Sequence, residues 1–105
     1  MPKNPVLDDL LPDIRLKWQA LSVLASQLPL MDPAISVELT QPENGCDIAA
    51  VTVTILSDHT LSKGTLVALG MLSNHADLMH PYICGEQNIC MEYTLDLLWK
   101  GGKPS

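Results

Sequence analysis

The sequence predicts an α+β fold: a small, mainly antiparallel sheet of three to four strands with two helices packed on one face, in the order α-β-β-α-β. Three observations carry this. The run Asp47–Leu56 (DIAAVTVTIL) has one charge and no Gly or Pro, and Val51, Val53 and Ile55 are β-branched at every second position. That is a strand by period and by propensity, and its fairly apolar second face (Ile48, Ala50, Leu56) makes it central. Apolar residues over 14–28 recur instead at helical spacing, and Ile89–Trp99 shows the clearest alternation in the chain, broken only by Leu98 on its polar face.

In chain order, Met1–Leu7 carries two prolines and reads as a loose arm. Asp8 or Asp9 is a candidate helix cap with Pro12 in the first turn. Ile14, Trp18, Leu21, Ala25 and Leu28 then form one apolar stripe, and Pro29 is expected to end the helix. Leu30–Pro33 is a connector. Ile35, Val37 and Leu39 alternate with Ser36, Glu38 and Thr40, a half-buried strand. Pro42-Glu43-Asn44-Gly45 supplies a turn, so Ala34–Gln41 and Cys46–Ser57 are expected to form a hairpin.

Leu61–Met79 has two readings. As a helix, Ser62 caps it and Leu61, Thr65, Leu69, Leu72 and Ala76 share a face. As a strand over 65–72, it gives the alternative order α-β-β-β-β. A strand would leave a long structureless run before the next element, so helix is preferred. In Ile89–Trp99, residues Ile89, Met91, Tyr93, Leu95, Leu97 and Trp99 face one way, and Cys90, Glu92, Thr94, Asp96 and Lys100 the other. If the second helix is a crossover, this strand lies parallel to the central one. Residues 101–105 read as a flexible tail, and the whole of 1–105 as one domain.

The charge balance narrows the partners. Net charge is −6, and between Trp18 and Trp99 the only base is Lys63. Nucleic acid and anionic membranes need Lys and Arg, so neither is expected as a partner; an acidic surface instead steers a basic protein. Acids at the N-terminus argue against an export signal, and no run approaches the roughly 20 apolar residues of a membrane span. The three cysteines are therefore expected as reduced thiols in the cytoplasm.

Chemistry concentrates in one stretch. His75, His80, Cys84 and Cys90 are metal-ligand types within 16 residues, with Asp77 among them. Their spacing is wider than the tight knuckles of structural zinc sites, so the preferred reading is a polar loop with no cofactor. Asp58-His59 follows the central strand, but neighbours on extended chain point apart, and no serine or cysteine sits in a nucleophile motif. Lys63-Gly64-Thr65 lacks the upstream glycine of a phosphate loop. Trp18 belongs to the helix stripe; Trp99, with Leu98, Glu92 and Asp96, is the interface candidate.

Two functions follow. The preferred one is a small acidic cytoplasmic protein-binding module, of the inhibitor, immunity or regulatory-subunit kind, with no catalytic constellation. The alternative is a small enzyme or a ligand- or metal-binding domain using Asp58, His59 and the 75–90 stretch. Apolar surface on the side of Leu98, Leu56, Ile48 and Ala50 points to a homodimer through the sheet or its last strand.

Overall fold

The computed structural model describes residues 5–43 and 46–101. In order they form α1 (Pro5–Asp8), α2 (Pro12–Met31), β1 (Ile35–Thr40), β2 (Ile48–Leu56), α3 (Lys63–His75), β3 (Leu78–Ile83) and β4 (Asn88–Asp96). The strands make one antiparallel sheet in the order β1-β2-β4-β3. The α+β fold and the hairpin of β1 on β2 are therefore as expected, with Val37 opposite Val53 and Val53 opposite Met91. The Asn44-Gly45 turn lies outside the described residues.

Burial follows the period of each element. Ala49, Val51, Val53 and Ile55 on β2, with Tyr93 and Leu95 on β4, turn to the helices and are buried. The stripe Ile14, Trp18, Leu21, Ala25 and Leu28 of α2 covers them, and Thr65, Ala68, Leu69 and Leu72 of α3 pack alongside. Ser62 caps α3: its Oγ accepts from the Thr65 N–H at 3.2 Å and lies 2.9 Å from Thr65 Oγ1. This pairing satisfies the hydroxyl of Thr65, which is fully buried among apolar neighbours.

Several local expectations are corrected. Neither Asp8 nor Asp9 caps α2; Leu11 does, without a side-chain bond, and Pro12 pre-sets the first turn. Asp8 instead pairs with Arg15 at 3.5 Å. Residues 5–8 are a helical turn rather than loose arm, and Leu7 packs on the core, while residues 1–4 of the expected arm lie outside the described residues. Pro29 does not end α2, which runs to Met31. Pro29 removes one rung of the helix near its end, and the Asp32 N–H closes the last turn on Leu28 O at 2.9 Å. Asp32 then accepts from the Ala34 N–H at 3.0 Å, the side-chain turn that leads into β1. Residues 102–105 of the expected tail lie outside the described residues.

The larger correction is β3, a stretch that reads as loop in the sequence. The crossover through α3 leads to this strand, at the edge, and β4 returns between it and β2. The final strand is consequently antiparallel to the central one, not parallel. All six β3 residues are exposed, so no buried face writes a period into LMHPYI, and Pro81 argues against a strand. The ladder explains why the proline is tolerated. Leu97 N–H bonds Asp47 O at 2.8 Å, Ser57 N–H bonds Gln87 O at 2.7 Å, and Cys84 N–H bonds Asn88 O at 3.2 Å. By alternation, odd residues of β4 bond β2 and even ones bond β3. Met79, Pro81 and Ile83 therefore turn their backbone groups to the free edge, where a missing N–H costs nothing.

Candidate functional site

The helices cover one face of the sheet and leave the other open. Register places Glu38, Thr52, Glu92 and His80 in one row across all four strands of that face. Thr40, Ala50, Thr94 and Leu78 form the next row, and Ser36, Thr54, Cys90 and Tyr82 the one on the other side. Glu38 and Glu92 flank Thr52, which sets them roughly 10 Å apart at the usual strand spacing. No Lys or Arg stands on any of these strands. The His80 ring lies 5.6 Å from that of Tyr82, two residues along the same edge. The result is an open surface of small hydroxyls and methyls with carboxylates across it, edged on β3 by His80, Tyr82 and the exposed Leu78.

The structure distributes the residues singled out in the sequence. Glu92 is on the open face. Asp96 ends it, donating its N–H to Asp77 Oδ2 at 2.9 Å, while Asp77 Oδ1 lies 3.7 Å from Lys17 Nζ. Trp99 is not on a surface: it is 6% exposed. The chain leaving β4 meets the chain entering α2, with Leu11 N–H on Leu98 O at 3.0 Å, Lys100 N–H on Asp9 O at 2.7 Å and a bridge between Leu10 and Trp99. That crossing closes the core over the indole. Leu98, on the other side, is exposed, and lines a groove of about 620 Å³ with Leu11, Ile14, Leu16, Ala20 and His75. Ile48 and Leu56 sit at opposite ends of β2 with Ala50, Thr52 and Thr54 between them, so they do not join into one apolar patch.

His75, His80, Cys84 and Cys90 are not assembled. His75 ends α3, His80 is on the open face, and the two cysteines are joined in a disulfide, with their Cα atoms 5.8 Å apart. This corrects the expectation of reduced thiols: the β3–β4 hairpin brings the pair together, and neither sulfur is left as a thiolate ligand. Among the described residues no three His, Cys, Asp or Glu side chains converge as a metal would need. Cys46 is free, its Sγ on Ile48 O at 3.1 Å. Asp58 and His59 do meet, at 3.1 Å, because a turn rather than extended chain follows β2. Both are exposed.

Burial pushes the Tyr93 phenol above its ordinary value, and the nearby Ser73 hydroxyl acts in the opposite direction. Its hydroxyl donates to Met91 Sδ at 3.4 Å. A second groove, of about 540 Å³, runs between α2 and the free edge of β1, lined by Trp18, Ser22, Ser26, Leu30 and Leu39. Sequence reasoning misses the open face as a unit. Glu38 and Glu92 each fall on the polar side of a strand, and only the register puts them in one row. Set against known protein families, curated proteins and solved structures, the chain has no match.

Proposed function

We propose that this chain is a protein-binding module that holds a basic segment of a partner on the open face of its sheet. The observation that carries the reading is the row Glu38–Thr52–Glu92–His80 on a face that no helix covers and that bears no Lys or Arg. A surface of small side chains admits an extended segment, and the carboxylates of Glu38 and Glu92 can each pair with a Lys or Arg side chain on it. Tyr82 adds a ring beside which a guanidinium can stack.

Two finer points belong to the same proposal. The homodimer expected from the sequence fits poorly on the open face, where Glu38 and Glu92 would oppose their copies. It fits the acid-free strand β3 and the outer face of α3, where Leu66, Val67, Met71, Met79 and Ile83 are exposed. Among the described residues no helix is long and apolar enough to cross a membrane. A cytoplasmic address is proposed on the condition that the Cys84–Cys90 bond is reversible there.

The test is fluorescence anisotropy with a labelled lysine- and arginine-rich peptide. Glu38→Gln with Glu92→Gln is compared with Asp9→Asn with Asp13→Asn, which removes equal charge elsewhere. The proposal expects the face variant to lose at least tenfold in affinity and the control less than threefold. Equal losses reduce the binding to net charge and refute the site.

A further inference from the structure

We propose that Cys84–Cys90 is a thiol–disulfide exchange site, attacked at Cys84 by a dithiol reductant, and that its state decides whether the distal half of β3 stays on the sheet. The two sulfurs are unequal. Cys84 is exposed at the tip of the hairpin, whereas Cys90 is 4% exposed inside β4. An incoming thiolate therefore reaches Cys84 Sγ. The new bond forms there, the Cys84–Cys90 bond breaks, and its electron pair leaves on Cys90 Sγ. The Thr54 hydroxyl lies 3.3 Å from that sulfur. A disulfide sulfur carries no proton, so Thr54 is the donor, and it remains in place to hydrogen-bond the departing thiolate until that takes up a proton from water. The second thiol of the reductant then attacks its own sulfur in the mixed disulfide and releases Cys84. One disulfide is reduced to two thiols and one dithiol is oxidised to a disulfide. Exposed disulfides are the labile ones.

The consequence follows from how β3 is held. Its six residues are exposed, and among the strands it pairs only with β4. At its start it is pinned twice, by the Asp77 N–H on Thr94 O at 2.8 Å and by Asp77 Oδ2 on the Asp96 N–H at 2.9 Å. At its end the covalent clasp is the disulfide. Opening it leaves His80–Ile83 on a few rungs with no side chain buried within the chain on either face, the condition for local fraying. His80 and Tyr82 also border the open face, so exchange would loosen one rim of the proposed docking surface.

The experiment is amide hydrogen exchange on the full chain, carrying Cys46→Ser to prevent shuffling, oxidised and after dithiothreitol. Cys84→Ser with Cys90→Ser serves as the permanently open form. Exchange at the backbone amides of His80, Tyr82 and position 84 should quicken at least tenfold on opening, with Val51, Val53 and Leu95 unchanged. Unchanged β3 exchange, or quickening throughout the chain, overturns the proposal; the latter would make the bond a global staple. A second arm traps the oxidised protein with glutathione, quenches in acid and maps the adduct by mass. Glutathione on Cys84 is expected, and an adduct on Cys90 overturns the assigned direction of attack. Neither arm uses a partner, so failure here and failure of the basic-segment reading are distinguishable.

Discussion

Strands β4 and β3 lie side by side, joined over six register pairs from Leu78–Thr94 to Ile83–Ile89, yet they are stabilised in different ways. β4 sits between two neighbours, and its Tyr93 and Leu95 are buried under the helices. β3 has one neighbour and no buried residue, and it is fastened at its ends, by Asp77 and by the disulfide. A strand in the first position is held by burial, roughly 1.5–3 kcal/mol for each large apolar side chain. One in the second is held by a few hydrogen bonds of about 1 kcal/mol each and by a cross-link. Function that requires a strand to loosen or to meet a partner can be placed at little cost on the second kind.

The largest effect tests the buried side of this contrast. Val51→Asp or Val53→Asp puts a carboxylate at a fully buried position of β2 with no partner to hand. The cost of several kcal/mol is comparable to the whole stability of a domain this size, about 5–15 kcal/mol. Neither variant should show a cooperative melt by circular dichroism at 25 °C and above. A normal melt would mean that β2 is not the centre of the core.

The same contrast explains what can be read from the sequence. Val51, Val53 and Ile55, or Tyr93 and Leu95, alternate because one side of their strand must be apolar, and that requirement is written into the residues. Met79, Pro81 and Ile83 share one face of β3, and Leu78, His80 and Tyr82 share the other. Neither is buried, so no polarity pattern marks the strand. Trp99 misleads for a different reason. Its burial depends on the Leu10–Trp99 crossing of two distant segments, which no local pattern encodes. The disulfide is only half legible on the same ground: the sequence offers Cys84 and Cys90 as a pair, but until 78–83 is a strand nothing favours their closing on each other. The acidic face is half legible, because each Glu falls on the polar side of its strand but their alignment needs the register.

A smaller effect sharpens the account of the buried strand. Tyr93 is fully buried on β4, and burial raises its phenol above the usual value of 10.0. Above about pH 10 the unfolded chain releases this proton while the folded chain keeps it. The folded state then binds more protons than the unfolded, so stability falls as pH rises. This contribution is fully present below the unfolded value and is lost as pH climbs through the raised one. Tyr93→Phe should cost about 1 kcal/mol at neutral pH, where the bond to Met91 is removed, and should lose less stability between pH 9 and 11 than the parent. Urea melts across that range provide the measurement. Parallel curves would show that the phenol titrates alike in both states.

The smallest effect is that of Ile83→Thr, set against the same change at Ile55. Ile55, on β2, is 5% exposed, and Ile83, on β3, is 80% exposed. Ile55→Thr removes buried methyl surface and places a hydroxyl in the core, for roughly 2–3 kcal/mol. Ile83→Thr removes almost no surface buried within one chain, and threonine suits an exposed strand as well as isoleucine does, so the stability of the single chain should stay within about 0.5 kcal/mol. That near-silence makes Ile83→Thr a clean probe of assembly, because any change in mass cannot be traced to unfolding. If two copies meet through β3 and α3, light scattering should give about twice 11.4 kDa for the parent at micromolar concentration and 11.4 kDa for the variant. A parent that stays at the monomer mass at every concentration removes the homodimer. A parent dimer that Ile83→Thr leaves intact moves the contact away from β3. A loss of stability for Ile83→Thr as large as that for Ile55→Thr would mean that β3 is packed after all, and the contrast between the two strands would fall with it.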